Sequence, residues 1–241
     1  MTFIGREKET RKIVRALEHG NNVIIKGKYG IGRTTLIKHI AESLKERYRF
    51  LFTDFSRMPA QICNDLLAYL FPQKKYRKED LQYRRYKEMR FRIAHRALPD
   101  GRTHVIVLDN IGRITRQKMA FVRYIIWDKK FRFIAIVESN ASEGDLILLR
   151  AALMPAEVMT LSYLSAESAG ELLRHFAENH HFEWTETHIH HLVEVYKGYP
   201  LGLTETVDRE IKRLREKAFQ VRLNKDEARK STLRDRNEFA S

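Results

Sequence analysis

Apolar residues along the chain fall into two kinds of pattern. Short unbroken runs occur at Val23-Ile24-Ile25, Phe50-Leu51-Phe52, Val105-Ile106-Val107-Leu108 and Phe133-Ile134-Ala135-Ile136-Val137. Between them apolar positions recur three and four residues apart: Ile13, Val14, Ala16 and Leu17; Leu36, Ile37, Ile40, Ala41 and Leu44; then Ile62, Leu66, Leu67 and Leu70, a stretch opened by Met58-Pro59 and stopped by Pro72. The runs predict strands and the spaced stretches predict helices. A strand apolar at successive positions is covered on both faces, so such strands alternating with helices predict a parallel sheet sandwiched by helices. From Leu161 onward only the helical pattern remains. Ser165 offers a cap with Glu167 in the first turn, followed by Ala169, Leu172, Leu173 and Phe176. A second helix is predicted over about residues 186–196 on Ile189, Leu192 and Val193, and Lys197-Gly198-Tyr199-Pro200-Leu201 ends it and starts a third. The expected organisation is an α/β core over residues 1–160, a small all-helical region over 161–211 and a basic helix or tail over 212–241.

The first strand leads into the most specific stretch of the chain. Gly27-Lys28-Tyr29-Gly30-Ile31-Gly32-Arg33-Thr34-Thr35 has the Gly-x4-Gly-basic-Thr spacing of a P-loop, set between a strand and a helix. Glycines at 27, 30 and 32 let backbone N–H groups, including those beside Ile31 and Thr35, turn inward around a phosphate chain, and the helix N-terminus adds its positive dipole end. Thr34 would place a hydroxyl on Mg²⁺, and the residue before it would reach the β- and γ-phosphates. That residue is Arg33, where the pattern has Lys. A planar guanidinium holds a phosphate without being a compact point charge, so the departure falls on hydrolysis more than on binding. A glycine-rich turn with no ligand is the plainer alternative.

Val105-Ile106-Val107-Leu108-Asp109 has the Walker B form, a strand buried on both faces with an acid at its tip where Mg²⁺ would wait. Asp109 would hold the metal directly or through water; a plain core strand is the alternative. Six of the ten histidines fall at 175, 180, 181, 188, 190 and 191. They lack single-face ligand spacing and read as a solvated, partly titrating surface rather than a metal site.

At 241 residues, 43% of them hydrophobic, the chain can bury one large core or a core with a small second domain. A single Cys63, no signal-like N-terminus and no membrane-length apolar run predict a soluble, cytoplasmic protein without membrane association. The formal charge of +14 is concentrated in two places. Residues 74–102 carry eleven Lys and Arg against four acids, with Tyr76, Tyr83, Tyr86 and Phe91 interleaved; residues 212–236 carry ten against four. Clustered cations with aromatics are the footprint of phosphate-backbone contact with stacking, so DNA is the expected partner of both segments; a solvated face or a dock for an acidic protein is the alternative.

Phe3-Ile4-Gly5-Arg6-Glu7 ahead of a Gly-x-x-Gly-x-Gly-basic-Thr-Thr-Leu loop resembles the AAA+/STAND group of P-loop ATPases, which includes archaeal origin-recognition initiators, signalling STAND ATPases and TniB- and MuB-like transposition helpers. The resemblance covers residues 3–205. It implies a P-loop NTPase fold with a helical lid subdomain, ATP and Mg²⁺ as cofactors, and Ile4, Gly5 and Arg6 as base-side contacts, where an ordinary first helix is the alternative. It places Pro200 against the adenine, Ser139 or Asn140 facing the γ-phosphate unless they are merely turn residues, and Arg150 as an arginine finger toward a neighbouring subunit unless it is a surface cation. The group carries a second acid after the Walker B aspartate; here Asn110 stands there, a second departure that falls on hydrolysis.

The function expected from these features is an ATP-binding protein with weak or impaired hydrolysis. It would act as a nucleotide-gated DNA-binding helper or regulator in transposition, replication or repair. Partners would be DNA, a nucleotide-dependent homo-oligomer and a protein such as a transposase or replication factor. A STAND-like signalling switch with a protein partner, or a degenerate P-loop scaffold, are the alternatives.

Overall fold

A computed structural model describes residues 4–71, 83–95, 101–127 and 129–238, with backbone alone for 83–85 and 221–238. The chain divides into two compact units, residues 1–162 and 163–241.

In the first unit five strands, β1 (Asn22–Lys26), β2 (Tyr48–Asp54), β3 (Thr103–Ile111), β4 (Phe131–Val137) and β5 (Ala156–Thr160), form one sheet in the order β2-β3-β4-β1-β5. Every pairing is parallel. The period of two along the strands sorts their apolar residues between two cores. Val23, Ile25, Val105, Val107, Ile134 and Ile136 pack under α1 (Glu7–Glu18) and α2 (Arg33–Ser43). Ile24, Leu51, Ile106, Leu108, Phe133 and Ala135 pack on the other face under α3 (Pro59–Leu70), α4 (Tyr83–His95), α5 (Arg116–Ile126) and α6 (Glu143–Ala152). This is the helix-covered parallel α/β sheet expected from the unbroken apolar runs, in the P-loop NTPase form that the resemblance implies.

Three features depart from the sequence pattern. The edge strand β5 escapes it because its residues, apart from Met159, are at least partly solvated, so Glu157 and Thr160 are tolerated and no apolar run marks it. Helix α5, between β3 and β4, is not among the helices expected from the spacing of apolar residues; Thr115 caps it by accepting the Lys118 N–H at 3.2 Å. Helix α4 lies inside the basic segment, and its aromatics are not a uniform stacking surface: Tyr86 is buried in the core with Met89 and Ile93, while Phe91 is exposed and packs its ring on His95. The Arg90 guanidinium sits 4.0 Å from the Tyr124 ring centroid. Residues 74–82 and 96–100 of that segment, and Phe3, lie outside the described residues.

Cys63 is fully buried on α3, and burial pushes its thiol up to about 12. Native protein at mildly alkaline pH is therefore expected to react with a thiol-exchange reagent at least about a hundredfold more slowly than the chain in denaturant. Equal rates would show that α3 opens readily.

The second unit packs α7 (Ala166–His180), α8 (Glu186–Tyr196) and the start of α9 (Pro200–Glu238) around Leu164, Ala169, Leu173, Leu192, Leu203 and Val207. Ser165 and Thr185 cap α7 and α8, each accepting a backbone N–H three residues on. The basic segment 212–236 is the distal part of α9, whose 39 residues span about 58 Å. Three histidines of α7 and α8, His175, His180 and His188, join a row of ring contacts with Phe176, Phe182 and Trp184. Among the described residues no group of three His, Cys, Asp or Glu is placed to hold a metal ion, and no helix is long and apolar enough to cross a membrane.

Candidate functional site

In an open parallel sheet, ligands sit at the carboxyl ends of the strands where the strand order reverses. Here the chain leaves β1 for the far edge at β2, returns through β3 and β4, and places β5 on the opposite side of β1. The loop between β1 and α2 therefore lies over the tips of β1, β4 and β3.

Gly32 caps α2 with φ +88°, a conformation costly for any residue with a Cβ, and Gly30 has φ +72°. A Cβ at Gly27 would press to 3.0 Å on Ile31 Cγ2 and 3.3 Å on the Leu161 carbonyl oxygen, whereas one at Gly32 would meet nothing within 4 Å. The loop is thus packed at its base and open at its mouth. Helix α2 has no acidic residue in its first turn and no side-chain cap, so its positive end faces the mouth uncompensated by either. Thr34 is half-buried and Thr35 exposed. Such a mouth fits a phosphate chain.

Arg33 is turned away from it. The side chain is 7% exposed and donates to the Val137 carbonyl oxygen and, at 3.0 Å, to Glu138 Oε1 at the end of β4. A guanidinium can bond two acceptors at once, and here both lie at one strand tip.

Thr34 Oγ1 donates to Asp109 Oδ2 at 2.9 Å, joining the loop to the tip of β3. A hydroxyl and a carboxylate side by side are hard oxygen donors of the kind Mg²⁺ takes. Asp109 Oδ1 accepts the Asn110 N–H at 2.8 Å. Asn110 is exposed, with φ 58° at the irregularity where β3 shifts register against β4. Its Nδ2 donates to Asp54 Oδ1 at 3.2 Å, on the neighbouring tip of β2.

Asp54 was not among the residues that the sequence singled out. It closes the apolar run of β2 as Asp109 closes that of β3, and the two are register partners. Burial works to raise its pKa, but hydrogen bonds from Ser56 and Asn110 and the charge of Arg57 outweigh that and hold the carboxyl below its ordinary value. Lys118 was missed as well. Buried, it donates to the Phe55 and Ser56 carbonyl oxygens at 2.6 and 3.1 Å, pinning the loop after β2, and desolvation lowers its pKa although Asp54 opposes the shift.

On the other side of the loop Arg6 is buried. It donates to the Ile31 and Ser162 carbonyl oxygens at 3.4 and 2.6 Å and pairs with Glu9 at 2.9 Å, so it braces the loop through Ile31. Ile4 and Gly5, both partly exposed, precede it, and the Gly5 N–H is held by Glu7. Ser139 and Asn140 follow β4 in an exposed turn, and Arg150 is exposed in the last turn of α6. Pro200 belongs to the second unit, where it opens α9.

The model of the AAA domain family matches residues 15–143, which span the loop and both aspartates. No curated protein matches the sequence. Among solved structures, the chain is similar to the Cdc6p of Pyrobaculum aerophilum at TM-score 0.64 and 12% identity, covering 88% of this chain and 62% of that one. It is similar to a Walker-type ATPase of Pyrococcus abyssi at TM-score 0.58 and 14% identity, with 97% and 76% covered. It is also similar to the Aeropyrum pernix Orc1 protein, solved in complex with DNA, at TM-score 0.52 and 15% identity, with 74% and 50% covered. The chain thus spans half of the Orc1 protein and under two thirds of Cdc6p. Identities this low carry the likeness of fold alone.

Proposed function

The chain belongs to the AAA domain family, and on that premise we propose that it binds ATP with Mg²⁺ at the β1–α2 loop, hydrolyses it slowly and acts as a nucleotide-gated DNA-binding helper or regulator. The observation that carries the nucleotide reading is the Thr34–Asp109 hydrogen bond. It sets two hard oxygen donors side by side at the open mouth of a loop whose helix end carries no acid. These residues would hold the metal, which when bound would screen the phosphate charges. The loop N–H groups would hold the phosphates, and Ile4 and Gly5 would meet the base. Slow turnover follows from Arg33, committed to Glu138, and from Asn110, whose amide cannot take a proton.

The DNA reading is supported by the charge of residues 74–102 and 212–236 and by the likeness to the Orc1 protein solved with DNA. Arg150, exposed on α6, is the residue that would reach a neighbouring copy in a nucleotide-dependent oligomer. One observation favours a protein partner instead: a cavity of about 770 Å³ beside α5, lined by Ile114, Met119, Tyr124, Trp127 and Leu148, with Trp127 83% exposed.

Binding of duplex DNA, with and without Mg²⁺-ATP, across a salt series tests the proposal. Affinity is expected to be higher with ATP and to fall steeply with salt. Replacing Arg84, Arg85, Lys87 and Arg92 with alanine should flatten the slope by up to about 0.9 for each phosphate that is no longer neutralised. Arg90 is left in place because it packs on Tyr124. Unchanged affinity and slope in that variant would transfer the function to the protein-partner reading.

A further inference from the structure

The cleft of about 770 Å³ beside α5 has a surface unlike that of the loop mouth, and none of the described residues that line it belongs to the β1–α2 loop or to a strand. Arg116, Ala120, Arg123 and Trp127 are spaced four, three and four apart, so they share one face of α5 and of the residue that ends it. Both arginines are exposed and stand two turns apart, roughly 10 Å along the axis. The remaining lining is largely apolar, with Ile114, Met119 and Tyr124 and, from α6, Leu148. Tyr124 is held in place by the Arg90 guanidinium over its ring and by His95 Nε2 at 3.4 Å from its hydroxyl, so this wall is already built. No acid is among the described residues that line the cleft. Trp127 is 83% exposed and Leu148 46%, so the apolar surface continues past the cleft onto its rim.

We propose that this cleft docks an acidic amphipathic helix of a partner protein, whose apolar side chains fill the cleft while two acids seven residues apart pair with Arg116 and Arg123. This deepens the protein-partner reading of the same cavity and rests on it, but requires no nucleotide. The occupant is a chain segment because a small molecule held within the cleft leaves the Trp127 rim in water, whereas a helix laid across it covers both. A helix repeats its face at i, i+3, i+4 and i+7. Acids at i and i+7 therefore bracket apolar residues at i+3 and i+4, and they stand the same roughly 10 Å apart as the two arginines. The rim charge selects the sign of the partner, since a neutral or basic helix would draw water from two guanidiniums without supplying an acceptor. Nucleic acid offers phosphates to the arginines but its backbone has no apolar surface to set against Met119 and Leu148, so a protein fits the whole cleft better.

The test selects binders of the full chain, free of nucleotide, from a display library of random peptides of about 16 residues, with the Trp127→Ala chain in solution as competitor. Enriched peptides are expected to carry Asp or Glu seven residues apart, with Leu, Ile, Phe or Met at the third and fourth positions between them. A labelled synthetic copy of the most enriched peptide should bind Trp127→Ala, and Arg116→Glu with Arg123→Glu, at least about tenfold more weakly than wild type, with thermal unfolding confirming that each variant is folded. Replacing the two acids of that peptide with Lys should restore its binding to the doubly reversed chain, which general loosening of α5 would not do. Enriched peptides without acids would leave a docking cleft but overturn the acidic partner. No enrichment over the Trp127→Ala competitor would overturn docking, and with it the protein-partner reading. A change of oligomeric state in Trp127→Ala, read by sedimentation, would assign the cleft to a second copy and overturn the proposal. So would a loss of DNA affinity in the arginine double variant as large as that in the α4 variant, which would assign these cations to nucleic acid.

Discussion

Replacing Arg33 with alanine is expected to destabilise the first unit by about 3 kcal/mol in the absence of any nucleotide. The side chain is 7% exposed and its partner Glu138 25%, so water cannot stand in for the guanidinium as it would on an open surface. Truncation leaves the Val137 carbonyl oxygen and the Glu138 carboxylate without the donor they share. For a chain of this size the midpoint should fall by roughly 6–12 °C. Glu138→Ala in the same background should cost little more, because the two changes remove one interaction; additive losses would mean that Arg33 acts elsewhere. Arg33→Lys separates the two possible duties of the position. A lysine has no fork to span both acceptors, so stability should still drop. Its ammonium would be free to reach the phosphates, and turnover of ATP should rise at least about tenfold. Loss of stability without gain in turnover would confine Arg33 to bracing β4.

Gly198→Ala should disrupt the second unit by about 3–5 kcal/mol, the larger of two glycine effects that look alike in sequence. Gly32 and Gly198 both have positive φ, at 88° and 75°, and each costs an alanine roughly 1–2 kcal/mol of backbone strain. At Gly32 the added Cβ meets nothing within 4 Å, so the strain is the whole cost. At Gly198 it would lie 2.1 Å from the Leu164 carbonyl oxygen, which is backbone and cannot rotate away. Making room also breaks the bond from the Leu164 N–H to the Gly198 carbonyl oxygen, 2.9 Å long, that ties the α8–α9 turn to the segment before α7. Limited proteolysis and circular dichroism of the Gly198→Ala chain should show α7 and α8 loosened, with the Gly32→Ala chain close to wild type. Equal stability of the two variants would mean that the turn adjusts, and that the clash is relieved by movement of the helix ends.

The candidate site was legible in part because some of its residues announce themselves by local pattern. The loop glycines, Thr34 and Asp109 stand at fixed distances from apolar runs, and the physical demand behind that spacing is local: a tight turn, a helix end, an acid at a strand tip. Asp54 and Glu138 also follow apolar runs, but no local pattern says what either would meet, and Lys118 carries no mark at all. Each is an ordinary charged residue until the sheet order sets β2 beside β3 and β4 beside β1, after which Asp54 meets Asn110 and Glu138 meets Arg33. Tyr86 shows the converse. Among cations it resembles a stacking residue, yet its place on the inner face of α4 puts it in the core.

The order of apolar and polar residues alone determined that this chain makes a parallel sheet covered on both sides, followed by helices. Burial is a property of each residue singly, and it repeats with the period of the element that carries it. Only the tertiary structure decided which strands are neighbours, that a short half-solvated strand closes the edge, and that Arg33 braces β4 instead of facing the loop mouth. Those outcomes depend on pairings between residues far apart in sequence, such as 33 with 138 and 54 with 110, and a pairing of that kind leaves no periodic trace in either partner.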